Sequence, residues 1–243
     1  MAASPAPAAI AAGNWAPTLF DDFTDRPRFE RQWQKITNAG EMTKTLRRPE
    51  NAVLVGDGLA LELGNNTNDA TGKLPFTGGY VQTSAFGQRY GYFECEMRIA
   101  ADAGVNNAFW LVSDAGDGSR GTFELDVAEV KYPGSIQATA RQWKPTRRVL
   151  SRAFRSRLDL SAGFHRYGLM WQPRAFAYYF DDHRYFEAAN DFAQSRGVLR
   201  LSNAVAAFAG VDDGSVAGAA TVIRQVRVYQ NTDWQSASEG IPL

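Results

Sequence analysis

The strongest constraint on the fold is a two-residue alternation of polar and apolar side chains that recurs along most of the chain. In GYFECEMRIA (91–100), polar residues at positions 92 to 98 alternate with apolar residues at positions 93 to 99. Similar strand-like patterns, bounded by turn-forming residues, recur at 52–63, 107–113, 164–172, 175–187, 197–206 and 220–230. Only 25–36 has the composition for one or two helical turns. Such alternation is typical of half-buried strands, so the sequence predicts an all-β sandwich or barrel.

The length and composition of the chain fit one domain. It has 243 residues, of which 44% are hydrophobic, enough for a substantial core. It shows no internal repeat and no linker that would separate two domains. The start, MAASPAPAAIAAG, lacks the basic and strongly apolar regions of an intact signal peptide. We predict a flexible leader over residues 1–14 and a single β-sandwich domain over residues 15–243.

Composition argues against several classes of protein. The 26 Lys and Arg residues balance the 26 Asp and Glu residues, so net charge indicates neither a nucleic acid nor a membrane partner. No apolar run approaches the roughly 18 residues of a transmembrane helix. Cys95 is the only cysteine, and His165 and His183 are the only histidines, which disfavours disulfides and Cys or His metal sites. We expect no cofactor, and a monomer is the default expectation.

The same three side chains are expected to have structural or passive roles. Cys95 lies in an alternating strand between apolar neighbours, which predicts a buried, inert thiol. His165, in FHRYG, is expected to be structural. His183 follows two aspartates where a hairpin turn is predicted, so it is expected to be exposed.

The segment FELDVAEV (123–130) places three carboxylates in an otherwise apolar strand. Side chains alternate along a strand, so Glu124 and Asp126 share a face, whereas an ideal strand sends Glu129 to the opposite face. One inserted residue, a β-bulge near 127–128, returns Glu129 to the same face. With such a bulge, the segment would carry all three acids on one surface.

Two readings of this acidic strand remain open from its residues alone. Two carboxyl groups about 5–5.5 Å apart are what a retaining glycosidase needs, with a third acid between them to hydrogen-bond the nucleophile. Because like charges at this range cannot all ionise cheaply, one pKa is expected to rise and to leave that group protonated for acid work. The alternative is a solvated strand face, in which the acids pair with Lys131 or Arg120. Aromatic-rich neighbouring segments, which suit sugar stacking, favour catalysis.

The order of motifs resembles glycoside hydrolase family 16. FELDVAEV is similar to the bulged form of its E-x-D-x-x-E strand, and further segments resemble the family in order along residues 15 to 230: LFDDF, GYFECEMRIA…GVNNAFWLVSD, FHRYGLMWQPRAFAYYFDDHRYF, LRLSNAVA and QVRVYQ. The resemblance implies a β-jelly-roll sandwich of two antiparallel sheets with a concave substrate cleft. It also implies retaining endo-hydrolysis of β-glycosidic bonds in a polysaccharide. By position, Glu124 is the nucleophile, Asp126 its assisting acid and Glu129 the general acid/base.

The resemblance also yields candidate substrate-binding residues, some at positions where the chain departs from the family. They are Tyr80, Asn106, Trp110, Arg141, Trp143 and Asn203. Asn106 stands where the family often has Trp-Pro, so a stacking platform is replaced by an amide. Arg141 falls near a usual histidine, and Tyr80 stands where some members place an arginine. These departures argue against a standard β-1,3-glucanase substrate.

A basic run, RQWKPTRRVLSRAFRSR (141–157), contains no acidic residue. It predicts either a solvated loop and strand or bases that flank the cleft and bind acidic substituents, because arginine matches planar anions with two donors. We therefore predict a decorated or anionic polysaccharide, such as a bacterial exopolysaccharide or an algal galactan, and keep β-1,3/1,4-glucan open. Secretion or a periplasmic location follows from a polysaccharide substrate.

The resemblance leaves a metal site and two other activities to consider. Some family members bind calcium through an N-terminal acid and a C-terminal Asp; here Asp22 is present, but Arg224 stands at the second position. Arg224 is expected to repel the ion and could pair with Asp22 directly, so no metal is predicted. Transglycosylation at the same site and a noncatalytic carbohydrate-binding sandwich are the alternative functions. Retention of all three acids argues against the binding module.

Overall fold

The computed structural model describes residues 7–40, 42–114 and 122–234. Within these residues there is one α-helix, α1, Arg26–Gln32, inside the segment predicted to be helical. Asp25 caps its first turn by accepting a hydrogen bond from the backbone N–H of Arg28 at 3.0 Å. Phe29 anchors the helix in the core.

The described residues otherwise form mainly strands, numbered here along the chain. They are β1 Trp15–Asp21, β2 Trp33–Lys35, β3 Asn38–Ala39, β4 Thr45–Arg47, β5 Ala52–Val55, β6 Gly58–Glu62, β7 Gly64–Asn65, β8 Phe76–Gly78, β9 Tyr80–Thr83, β10 Gly91–Arg98, β11 Val105–Ser113, β12 Phe123–Lys131, β13 Ser135–Gln142, β14 Arg148–Arg155, β15 His165–Trp171, β16 Ala175–Phe180, β17 His183–Ala189, β18 Gly197–Val205 and β19 Ala220–Asn231. Each segment predicted from its alternation contains a strand, and β5 and β6, both within 52–63, form a hairpin.

Two large antiparallel sheets form the sandwich. The seven-stranded sheet, which carries the acidic strand β12, has the order β14-β13-β12-β11-β18-β9-β2. The eight-stranded sheet has the order β17-β16-β15-β10-β19-β6-β5, and β1 also pairs with β19. A small third sheet, β3-β4-β8-β7, contains a parallel pair, β4 with β8. The predicted two-sheet sandwich is confirmed, whereas the third sheet was not anticipated.

The core between the large sheets contains a group of aromatic side chains packed among aliphatic residues. Trp171 lies 5.9 Å from Phe93 within the eight-stranded sheet and 5.4 Å from Phe123 of β12, as measured between ring centroids. All three are essentially fully buried, and each buried ring of this size contributes roughly 1.5–3 kcal/mol. Since Phe123 and Leu125 point into this core, Glu124 and Asp126 lie on the opposite face of β12.

The residues before β1 pack against the sandwich where the structure describes them. Residues 8–10 form a 3-10 turn, and Ile10 is buried beside Tyr92, Met170 and Ala177. The end of the predicted leader thus contacts the eight-stranded sheet through Ile10, and its flexibility stays a prediction. Residues 1–6 of that leader, and residues 235–243 of the predicted domain, lie outside the described residues.

The two histidines lie around the β16–β17 turn. Asp181 and Asp182 have φ angles of 44° and 67°, as a tight two-residue hairpin turn requires. The ring nitrogen Nδ1 of His165 lies 2.7 Å from Oδ2 of Asp181, which ties β15 to the turn and fits the predicted structural role. His183 is exposed, as predicted.

Cys95 is fully buried, as predicted. Burial, with the neighbouring charges of Glu94 and Glu96, raises the pKa of the thiol well above its usual value. The thiol is therefore neutral and unreactive.

The suggested pairing of Arg224 with Asp22 is wrong. Arg224 donates to Glu96 at 2.9 Å and lies over the ring of Phe164, whereas Asp22 pairs with Arg28 of α1. In the part of the chain that the structure describes, no cluster of His, Cys, Asp and Glu side chains is arranged to hold a metal ion. No helix there has the length and apolar character needed to cross a membrane.

Candidate active site

The three acids of β12 lie on one face of the seven-stranded sheet because the strand is bulged. Asp126 pairs with Thr139 of β13 and Glu129 pairs with Gln137, so residues 127–128 lie opposite a single residue of β13. The pairing of β12 with β11 shifts at the same place. The predicted β-bulge is confirmed, and it returns Glu129 to the face that carries Glu124 and Asp126.

Each outer acid has a polar partner on a neighbouring strand. Oε1 of Glu124 accepts a hydrogen bond from Nη1 of Arg141 on β13 at 2.7 Å. Oε1 of Glu129 accepts a hydrogen bond from Nδ2 of Asn106 on β11 at 3.0 Å. Asp126 lies between them and is 6% exposed. The two outer carboxylates are thus held in place on either side of a buried third acid.

This environment differs from the solvated strand face that the sequence left open. Lys131 donates to Gln137 at 3.3 Å instead of pairing with an acid, and Arg120 lies outside the described residues. The side chain of Glu124 is only 16% exposed although it pairs with Arg141. The acids therefore occupy a sheltered surface, where charges interact more strongly than in bulk water.

The acid with the raised pKa is the central one. Burial raises the pKa of Asp126 well above its usual value, and the negative charges of Glu124 and Glu129 raise it further. Arg141 and Lys131 act in the opposite direction but do not offset this rise. The raised pKa of the trio thus falls on Asp126, the proposed assisting acid, whose neutral form is favoured by its burial and by the neighbouring carboxyls.

Two further candidate binding residues, Trp110 and Trp143, lie near the acids. Trp110 of β11 pairs with Asp126 on one side and with Arg200 of β18 on the other, and its Nε1 donates to Ser202 at 3.2 Å. Trp143 follows β13, and the guanidinium carbon of Arg141 lies 4.9 Å from the centroid of the Trp143 ring. Asn106, Trp110, Arg141 and Trp143 therefore share the surface of the acids, and their contact with substrate stays a prediction.

Two candidate binding residues are contradicted by their burial. Asn203 is fully buried; its Nδ2 donates to the carbonyl of Leu61 at 2.5 Å, and its Oδ1 accepts from the N–H of Gly79 at 2.9 Å. Tyr80 is 2% exposed and stacks on Trp110 with ring centroids 5.9 Å apart. Asn203 points away from the acids because side chains alternate on β18, and Tyr80 supports the surface from below instead of offering a free ring.

Comparison with known proteins agrees with this geometry. Residues 30–221 match the model of the Glycosyl hydrolases family 16. The chain belongs to this family. It is 34% identical over 170 residues to the endo-1,3-1,4-beta-glycanase EglC of Rhizobium meliloti (strain 1021), covering 68% of this chain and 36% of that protein. It is 34% identical over 166 residues to ExsH of the same organism, covering 66% and 35%. The chain thus spans about a third of the length of these relatives.

Solved structures identify the fold of this family 16 chain as a jelly roll. The laminarinase catalytic domain of Thermotoga maritima MSB8 superposes with a TM-score of 0.80 at 19% identity, covering 90% of this chain and 99% of that one. SCLam, a non-specific endo-beta-1,3(4)-glucanase, gives a TM-score of 0.78 at 21% identity, covering 93% and 94%. The jelly-roll sandwich implied by the sequence motifs is confirmed.

Within this family 16 fold, both sequence departures beside the acids contact them directly. Asn106, in place of Trp-Pro, binds Glu129, and Arg141, near the usual histidine, binds Glu124. An arginine keeps its charge throughout the physiological pH range, unlike a histidine. The departures therefore alter the immediate electrostatics of the acids as well as the shape of the cleft.

Two residues of the surface were missed from sequence. Arg200 of β18 lies over the Trp110 ring at 4.8 Å, and Arg47 of β4 lies over the Tyr80 ring at 4.7 Å. Alternation along β18 could have identified Arg200, because it lies two residues before Ser202 and therefore faces the cleft as Ser202 does. Arg47 gave no such signal, because its short strand belongs to the third sheet.

The arginines of the basic run contact different parts of the molecule. Arg141 contacts Glu124, and Arg147 lies 5.8 Å from the Trp143 ring. Arg148 points elsewhere and pairs with Asp191 at 2.5 Å. Arg141 therefore contacts the acids directly, whereas Arg148 does not.

Replacing Asp126 with Asn is expected to raise thermal stability at neutral pH while lowering activity. Because the pKa of Asp126 is raised above its usual value of 3.8, its stabilising effect is complete below about that pH and is lost as pH rises through the folded-state pKa. Asn cannot ionise, so the variant does not lose this stability as pH rises. The Tm difference between D126N and wild type should grow with pH, by about 2–4 °C for each kcal/mol.

The matched control is D57N, which changes an exposed aspartate in the β5–β6 turn. Its Tm should follow the wild-type pH dependence between pH 3 and pH 8. A Tm for D126N that lies below wild type at pH 7, or a difference that does not change with pH, would contradict the raised pKa.

Proposed function

We propose that the chain is a retaining endo-glycosidase that hydrolyses internal β-glycosidic bonds of a polysaccharide. One observation carries the proposal: the β12 bulge brings Glu124, Asp126 and Glu129 to one face, with the outer two held by Arg141 and Asn106. Family membership supports the same reaction class. A carbohydrate-binding surface alone has no need for three close acids with two dedicated partners.

The first half of the reaction uses the two outer acids in different roles. An oxygen of the Glu124 carboxylate attacks the anomeric carbon, and the bond from that carbon to the leaving oxygen breaks. The carboxylic acid of Glu129 gives its proton to that oxygen, which departs as a hydroxyl. The product is a glycosyl ester on Glu124. Arg141 orients the attacking carboxylate through its 2.7 Å hydrogen bond.

The second half regenerates the enzyme. Water attacks the anomeric carbon while the Glu129 carboxylate takes a proton from it, and the bond to Glu124 breaks to release the carboxylate. Asp126 lies between the two, and its raised pKa favours the neutral form there, which limits the negative charge of the trio. Two inversions leave the anomeric configuration unchanged.

The substrate is proposed to be a β-1,3/1,4-linked polysaccharide, in particular one that carries anionic substituents. The curated relatives are named endo-1,3-1,4-beta-glycanases, which supports the linkage class. Arg141 and Arg147 beside Trp143 support acidic groups on the chain. Action on such polymers places the protein outside the cytoplasm, secreted or periplasmic, and the cleft needs no second subunit.

The test is reducing-end release on laminarin, lichenan, agar, porphyran, carrageenan, hyaluronan and a succinoglycan-type polymer. We expect at least one polymer to be cut, with a rapid fall in viscosity that marks endo cleavage, and an early NMR spectrum that shows the β-anomer. An early α-anomer would contradict retention. Larger products that appear only with added acceptor oligosaccharide would indicate transglycosylation, and binding without cleavage by the folded protein would indicate a binding module.

A further inference from the structure

Two arginines on the cleft surface are half buried, yet neither pairs with a carboxylate within the described residues. Arg200 makes no ion pair there, and Arg47 donates only to the amide oxygen of Asn38, at 3.1 Å. The Nε atom of each is buried without a hydrogen-bond partner. By contrast, the half-buried Arg28 and Arg166 each bind an aspartate. A sheltered charge without a counter-charge is costly for a folded protein.

The two guanidiniums converge on one pair of stacked rings. Tyr80 and Trp110 stack with an interplanar angle of 22°. Arg47 lies 4.7 Å from the Tyr80 ring centroid, and Arg200 lies 4.8 Å from Trp110 and 5.8 Å from Tyr80. Ring stacking holds each guanidinium plane in place and leaves its in-plane donors for another partner. We refer to these four residues as the arginine platform.

The charges of the platform interact with each other. Burial lowers the pKa of Arg47, and the positive charge of Arg200 lowers it further. Burial also lowers the pKa of Arg200, although the negative charge of Glu124 acts against this. Two like charges are therefore close together in a sheltered place, and a bound anion would relieve their repulsion.

The platform lies beside the catalytic strand on the same sheet. Arg200 pairs with Trp110, and Trp110 pairs with Asp126, so Arg200 is two strands from the acids, about 10 Å at ~4.8 Å per strand. A polysaccharide that places its scissile bond at the acids and crosses β11 and β18 would reach the platform with a neighbouring sugar.

We propose that the arginine platform is a subsite for a carboxylate substituent on a sugar near the scissile bond, and that it selects carboxylated polysaccharides. This rests on the proposed glycosidase function. The planar fork of arginine matches a carboxylate with two parallel hydrogen bonds. The platform, more than the basic run after Arg141, is then the determinant of anionic specificity.

The test measures binding and turnover separately, with carboxymethylated β-1,3-glucan, sulfated β-1,3-glucan and neutral laminarin as probes. Binding is measured by affinity electrophoresis in an E124Q background, and kcat/KM by reducing-end release with Glu124 intact. R47Q and R200Q are compared with R184Q, which removes one exposed arginine of β17 on the other sheet. Thermal unfolding confirms that each variant is folded. R200K, which keeps the charge but loses the planar fork, replaces R200Q if that variant fails to fold.

We expect R47Q and R200Q each to weaken binding of the carboxymethylated glucan by about tenfold, and R200K by about threefold, with R184Q unchanged. The carboxymethyl-to-neutral ratio of kcat/KM should fall by a similar factor. Equal binding by R47Q, R200Q and R184Q would overturn the subsite, and a preference for the sulfated polymer would overturn the carboxylate assignment. If the wild type cuts no polymer, the glycosidase proposal fails while the binding comparison still decides the subsite.

Discussion

Replacing Glu124 with Ser is expected to abolish polysaccharide hydrolysis, with a fall in kcat of about 10⁴-fold or more. The proposed reaction requires a carboxylate at this position to form the glycosyl ester, and a serine hydroxyl next to Arg141 cannot replace it. Substrate binding should persist, because the contacts of the cleft surface remain. The measurement is reducing-end release on the polymer that the wild type cuts, with binding followed by affinity electrophoresis.

The control is E62S, which removes an exposed glutamate at the end of β6 and should retain wild-type activity. A chemical test adds specificity to the result. In E124S, azide should attack an activated β-glycosyl fluoride on the face that Glu124 vacates and yield an α-glycosyl azide. Activity of E124S within tenfold of wild type would show that Glu124 is not the nucleophile.

Local patterns in the sequence were sufficient to predict the strands and the acidic face. Alternation identified β10, β15 and β18, because a strand with one buried face imposes a period of two on its residues. The same rule showed where a β12 bulge was needed, since only an inserted residue brings Glu129 to the face of Glu124. These features depend on neighbours along one strand, which the sequence shows directly.

Features that depend on distant segments were beyond this reasoning. Asn203 and Ser202 are adjacent in sequence, but only Ser202 faces the cleft, because the register of β18 against β11 pairs Asn203 with the buried Asn107. Arg47 reaches the cleft from β4, whose place is set by a parallel pairing with β8. Such strand registers depend on tertiary packing and cannot be predicted from the local sequence of either strand.

Which of the three acids has the raised pKa also depends on burial. Like-charge repulsion predicts that one acid stays protonated, and the assignment to an outer acid or the central acid depends on which is most desolvated. Asp126 is 6% exposed and lies above the core, so it is the one with the raised pKa. The sequence alone shows the three carboxyl groups but not how deeply each is buried.

Replacing Glu129 with Ala is expected to lower kcat on a polysaccharide by about 10²–10⁴-fold, the usual contribution of a general acid. A sugar hydroxyl is a poor leaving group and needs the proton that Glu129 supplies. A 2,4-dinitrophenyl glycoside leaves without protonation, so E129A should still form the glycosyl ester on Glu124 and release a burst of dinitrophenol. Stopped-flow absorbance measures that burst.

The slow step in E129A should then be hydrolysis of the ester, because no base activates water. Azide needs no such base, so it should accelerate turnover and give the β-glycosyl azide, the opposite anomer from that expected with E124S. N106A, which removes the 3.0 Å contact to Glu129 but keeps the carboxyl, is the matched control and should respond little to azide. The same azide anomer from both glutamate variants would contradict the division of roles, since it would place both carboxyls on one side of the scissile bond.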